Sequence, residues 1–255
     1  MPHPRPPLLL RLKAWLPFLA SAVLGAVILR LSWDAPWLGA VALAAIAWFV
    51  LSRRRQQRRL QALALSGRTD ELVNQWEQAV ADLPQAETLL PLIHATAFTS
   101  SGLTDRAREA LERGRRAGSW ESTEEHRLIV ETLLDAFEGD RQRAMDKARR
   151  LASLPVPPVG PMMRARILEL RRALMAFARA FAHDSGPGDG RLLRHAAKKN
   201  PLIHWPFRYA AAVAFIDHGK HSEAQRLLRD APAWPADSAF AAFQEELSEH
   251  ASPSH

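Results

Sequence analysis

The sequence predicts an all-α protein: a two-span transmembrane helical hairpin, then an α-solenoid of helix-turn-helix repeats closed by a C-terminal helix. Three observations carry that expectation. Two apolar runs, 14–31 and 37–51, crowd the first fifty residues. Glycine-centred turns recur at spacings of 35 and 37 residues, at Gly67, Gly102 and Gly139. From residue 60 onward apolar positions follow the helical period, and no stretch alternates as a strand does. The expected divisions are a basic N-terminus (1–13), the hairpin (14–52), a repeat domain (53–231, about five hairpins with an insertion near 154–161), and a capping helix with tail (232–255).

The hairpin follows from transfer energetics. The second run, "WLGAVALAAIAWFVL", contains no charge, and the first contains only Arg30, at its end. A terminal arginine can snorkel to the headgroups, whereas Leu, Ile, Phe and Val each favour insertion by roughly 0.3–0.6 kcal/mol. Trp33 and Trp37 flank the short connector "SWDAPW", and Trp15 and Trp48 mark the opposite interface. Arg5, Arg11 and Lys13 precede the pair, and Arg53, Arg54, Arg55, Arg58 and Arg59 follow it. Positive charge on both flanks places both chain ends in the cytoplasm and the Asp34 loop outside. The expected location is the bacterial inner membrane, with the cluster at 53–59 near anionic headgroups. A cleaved signal peptide fits less well, because the chain stays apolar beyond Ala22 and a second run follows.

The repeats are read from their turns. "LSGRTDEL" and "SSGLTDRA" repeat Ser-Gly-x-Thr-Asp, and Gly139 and Gly219 occupy similar helix boundaries. Glycine is expected as a left-handed C-cap, and the following Thr or Asp as the N-cap of the next helix. "HDSGPGDG" supplies a further turn, and "LPVPPVGP" the inserted loop. The serines need no catalytic role, since no Gly-x-Ser-x-Gly elbow is present.

Counted from the turn glycine, Ala107, Ala144 and Ala224 stand five places on, and Ala79, Gly114 and Ala231 twelve places on; Ala95 and Ala212 stand seven places before it. These small residues at close-approach positions resemble the tetratricopeptide repeat family, although Leu72 and Leu151 depart from the pattern. The resemblance implies a concave groove lined by the first helix of each hairpin, in which a protein partner docks. Carried over by position, the groove comprises Leu92, Thr96, Thr99, His126, Ile129, Leu133, Tyr209 and Val213. It lacks the basic clamp that some relatives use on a C-terminal carboxylate.

No enzymatic constellation emerges. The chain has no cysteine, which excludes disulfides and thiolate chemistry. His218 and His221 flank a turn without a third ligand, His183 and His126 stand apart from any ligand set, and "GPGDG" lacks the Lys-Ser/Thr of a phosphate loop. No cofactor or metal is expected. A net charge of +7 invites an anionic partner. The expected function is therefore a membrane-anchored scaffold for a protein partner. The alternative is binding of anionic lipid or nucleic acid through arginine-rich faces, including Arg164, Arg166, Arg171, Arg172 and Arg179.

Overall fold

The protein is described from a computed structural model, which covers residues 25, 30, 36–80, 86–116 and 123–251. Apart from helical Gly25 and Arg30, the first apolar run lies outside the described residues, as do Trp15, Trp33 and Asp34. Eleven α-helices and no strand occur among the described residues: α1 (Pro36–Ser66), α2 (Thr69–Val80), α3 (Ala86–Ser100), α4 (Thr104–Arg116), α5 (Glu124–Phe137), α6 (Arg141–Ser153), α7 (Pro161–Phe181), α8 (Asp189–Lys199), α9 (His204–Asp217), α10 (His221–Leu228) and α11 (Ala239–Ala251). The chain divides into two units, Met1–Arg59 and Leu60–His255.

In the first unit, α1 exposes bulky apolar side chains on every side: Trp37, Val41, Leu43, Ile46, Trp48, Phe49, Val50 and Leu51. At 100° per residue these eight fall in all quadrants, so the segment has no apolar stripe of the kind that faces a core. Among the described residues no helix is long and apolar enough to cross a membrane. The apolar part of α1 spans only about 22 Å at 1.5 Å per residue, against roughly 30 Å of hydrocarbon.

In the second unit, helices pair as antiparallel hairpins, α3 with α4, α5 with α6, α7 with α8 and α9 with α10. Neighbouring hairpins touch through their first helices, α3 to α5, α5 to α7 and α7 to α9. The turns explain the pairing. Gly67, Gly102, Gly139 and Gly219 all have positive φ, between 69° and 84°, a conformation that costs other residues roughly 1–2 kcal/mol. At Gly102 the Leu103 amide donates to the Phe98 carbonyl and the Gly102 amide to that of Thr99. The same double closure recurs at Gly139 and Gly219, and it satisfies carbonyls that a helix end leaves orphaned. The fifth such turn uses His183 (φ 54°), not a glycine of "GPGDG".

The expected capping by Thr or Asp is corrected by the structure at the two Ser-Gly-x-Thr-Asp turns. Arg68 and Leu103 accept the first intrahelical bonds, from Leu72 and Ala107, so Thr69 and Thr104 are already helical. Thr69 instead donates sideways, its Oγ1 lying 2.6 Å from Ser101 Oγ, so the two copies of the motif touch each other. Asp140 does cap α6, accepting from the Arg143 amide at 3.1 Å.

Small residues mark the places where helices meet. Ala107, Ala144 and Ala224 are fully buried, and a Cβ on Gly190 would come within 2.9 Å of the Phe215 ring. Charge staples add to this across hairpins. The buried Asp135 carboxylate takes Arg108 of the preceding hairpin at 2.5 Å and Lys147 of its own at 2.7 Å.

The C-terminal segment does more than cover the last hairpin. It runs back along the row of turns. Trp234 and Pro232 pack on Gly67, Ser238 Oγ donates to the Ser101 carbonyl at 2.7 Å, and the Ala239 amide to that of Gly102 at 2.9 Å. Phe240 then enters an aromatic cluster, 4.7 Å from Tyr209, 5.0 Å from Trp234 and 5.1 Å from Phe137. A Cβ on Gly102 would lie 2.7 Å from Ser238 Oγ and 2.9 Å from Phe240, whereas one on Gly139 would meet open space.

That contrast makes a paired prediction. Gly139→Ala should cost about 1–2 kcal/mol from backbone strain alone. Gly102→Ala should cost roughly 2–5 kcal/mol, because overpacking is added to strain. Urea unfolding midpoints measure both, and equal losses would contradict the packing of α11 on this turn.

Candidate functional site

The structure places the expected groove residues in the interior. Leu92, Thr96, Thr99, Leu133, Tyr209 and Val213 are buried, Ile129 is half-buried, and only His126 is exposed. Thr96 and Thr99 turn their hydroxyls back onto the carbonyls of Leu92 and Ala95 at 2.7 Å, as buried threonines on helices do. His126 is not isolated: its Nε2 lies 2.7 Å from Thr96 Oγ1 on the neighbouring hairpin. Tyr209 has Phe240 stacked on one face, and its hydroxyl accepts from Trp234 Nε1 at 2.7 Å. Burial pushes its phenol up to about 12. The open trough is thus corrected. The arc of hairpins closes until α3 and α9 meet, Trp205 Nε1 donates to the Leu65 carbonyl at 2.9 Å, and the C-terminal segment fills the remainder.

Among the described residues a cleft of about 220 Å³ lies open where the C-terminal ends of α5, α7 and α9 meet α11. Its walls are Phe137, Phe181, Val213, Ile216, Phe243 and Leu247, and its rim carries Arg141, His183, Asp217 and Glu246. An apolar cavity of roughly 150 Å³ accommodates a benzene ring, so this one has room for a bulky apolar side chain. The sequence contained a signal for it that the groove pattern did not use. Phe137 and Phe181 each stand two residues before the left-handed residue of their turn, Gly139 or His183. Helical hairpins that close alike present that position alike.

At the rim, His183 Nδ1 lies 3.0 Å from Asp217 Oδ1, and Ser185 Oγ donates to Asp217 Oδ2 at 3.1 Å. Serine, histidine and aspartate are together, but both partners spend their bonds on one carboxylate. The histidine is not placed to take the serine proton, which a nucleophile–base pair requires. The pair braces two turns, and it helps to hold His183 in its left-handed conformation. His218 is used locally, its Nδ1 2.8 Å from the Ala214 carbonyl. Among the described residues no group of three or more His, Asp or Glu could hold a metal ion.

The arginines separate into two kinds. Arg171 is corrected from surface to interior: it is 3% exposed and bonds Glu125 and the carbonyls of Leu154 and Pro155. Arg179 forms a two-point pair with Asp189 at 2.9 and 2.7 Å. Arg164, Arg166 and Arg172 are exposed, as are Arg53, Arg54, Arg55, Arg58 and Arg59. The last five spread over more than half the circumference of α1, so they form a collar instead of a stripe.

Comparison with protein-family models, characterised proteins and solved structures finds no match.

Three histidines tie stability to pH. Burial of the ring holds His94, His126 and, beside Arg208, His204 below the usual imidazole range. The unfolded chain, with imidazoles near pKa 6.5, then binds more protons than the folded chain as pH falls. Stability should be level above about pH 7 and decline below about pH 6.5. Thermal unfolding measured from pH 7.5 to 5.5 checks this. The triple variant His94→Gln/His126→Gln/His204→Gln should flatten the slope, and a wild-type curve already flat in that window would contradict it.

Proposed function

We propose that this chain is a tetratricopeptide-like helical scaffold held at the bacterial inner membrane by its first sixty residues, presenting one apolar cleft to a protein partner. One observation carries the membrane part: a helix that exposes Trp, Phe, Leu, Ile and Val on every side and continues directly into a collar of five arginines. Water penalises such a surface, whereas hydrocarbon below and anionic headgroups beside the collar favour it, by about 1 kcal/mol per arginine. In this reading residues 14–31 and 37–51 form a paired insertion. The shortness of the second run is met by local thinning and by arginine snorkelling.

The partner contact belongs at the cleft, since the residues of the expected trough already hold the fold together. Phe137, Phe181, Ile216 and Phe243 would receive one large apolar side chain, and the charged rim would orient the segment bearing it. A binding role suits the rim better than catalysis, given that Ser185 and His183 both engage Asp217.

Two readouts in intact cells test the proposal. A cysteine at position 34 should react with an impermeant reagent added from outside, and one at position 142 should be protected. A photo-crosslinking residue at 141 or 247 should give the same partner adduct, one at 226 should give none, and Ile216→Glu should abolish the adduct with the fold intact by circular dichroism. Protection at 34 would contradict the crossing. Adducts insensitive to Ile216→Glu would contradict the cleft.

A further inference from the structure

The insertion between α6 and α7 was expected as a plain loop. In the structure it is an apolar tip held away from the core. Val159, Met162 and Met163 are 39%, 75% and 50% exposed, and every residue from 157 to 166 is exposed. The first six residues of α7 and a proline-rich loop therefore project into solvent. The projection is braced. Buried Arg171 donates through Nη1 to the Leu154 carbonyl at 2.5 Å and through Nη2 to that of Pro155 at 3.4 Å, while Glu125 holds the same guanidinium at 3.0 Å. Above that base Pro155, Pro157, Pro158 and Pro161 restrict the backbone, so little conformational freedom is left to lose on docking. Gly160 precedes Pro161 at the first helical position, and the Gly160 carbonyl accepts from the Arg164 amide at 3.0 Å.

The charge on this tip has one sign. Residues 154–168, "LPVPPVGPMMRARIL", contain two arginines and no acid. Neither Arg164 nor Arg166 has an ion-pair partner among the described residues, and Arg166 lies one turn from Met162 on the same side. The nearest following acid, Glu169, is occupied by Lys199 at 2.8 Å and His195 at 3.3 Å. Flexible thioethers and valine at the point, with unpaired guanidinium groups just behind, match the layering of an anionic leaflet, with hydrocarbon inside and phosphate outside.

We infer that the 155–166 tip is a second membrane contact, which wedges Met162 and Met163 below the headgroups while Arg164 and Arg166 meet lipid phosphates. This rests on the reading that the chain works at a membrane, but on residues remote in sequence from the first sixty. It gives the repeat unit a lipid contact of its own.

The absence of native cysteine permits a direct test on the full chain. Met163→Cys carries an environment-sensitive dye, with Gln142→Cys as the control position. Each protein is mixed with vesicles of phosphatidylcholine, with or without phosphatidylglycerol, containing a spin-labelled lipid quencher, and flotation is measured in parallel. The dye at 163 should be quenched in anionic vesicles and the dye at 142 should not. Arg164→Gln/Arg166→Gln should shift the tip away from lipid by roughly thirtyfold, at about 1 kcal/mol per arginine, while flotation persists. If the protein floats but the 163 dye stays in water, the tip contact is overturned and membrane association survives. Failure to float overturns both. A dye shielded from water yet untouched by the lipid quencher would show a protein contact and overturn the lipid assignment, as would quenching unaffected by the arginine change.

Discussion

The burial of Phe240 is the constraint on which the repeat unit depends. This one ring touches Phe137 of α5, Tyr209 of α9 and Trp234 from its own stretch of chain. Its backbone neighbour Ala239 is bonded to the Gly102 turn between α3 and α4. A stack of hairpins by itself has contacts only between neighbours, and its curvature is set by small rotations that add along the row. A segment that bridges the α3/α4, α5/α6 and α9/α10 hairpins fixes that sum. With Phe240 in place α3 reaches α9, Trp205 finds the Leu65 carbonyl, and the arc has a definite closure.

Closure changes what each polar group is for. Asp135, out of water, is tolerable because Arg108 and Lys147 both reach it, and removing either would leave a buried charge poorly compensated. Arg171 is held the same way by Glu125 and two carbonyls, and its geometry decides where the 155–166 tip points. The interior ion pairs work as spacers between hairpins. Among the described residues, surfaces open to other molecules include a cleft at the helix ends and the tip in the repeat unit, and the apolar helix with its arginine collar in the first unit.

Much of this was legible in the sequence, and the division has a physical cause. Gly67, Gly102, Gly139 and Gly219 were readable because positive φ selects glycine strongly, and the all-α class was readable from periodicity. His183 was not, because its turn is stabilised by Asp217, 34 positions away, and not by its own backbone freedom. Thr69 and Thr104 missed their expected capping role by a single position, which local composition cannot resolve. The groove residues failed for a larger reason. Each helix face was identified correctly as apolar, but whether such a face is open or covered depends on curvature, which no single repeat encodes. The capping helix expected in 232–255 was legible as an element, without any sign of what it packs on. Arg171 looked like its exposed neighbours because its partners, Glu125 and the 154–155 carbonyls, belong to other elements.

Amide hydrogen exchange, resolved along the chain, tests the role of Phe240 most directly. If its burial closes the arc, amides of 239–247 are protected as strongly as those of 128–137 and open with them in one cooperative step. Exchange of 239–247 several orders of magnitude faster, with 128–137 still protected, would show the C-terminal helix to be a detachable lid on a fold complete without it.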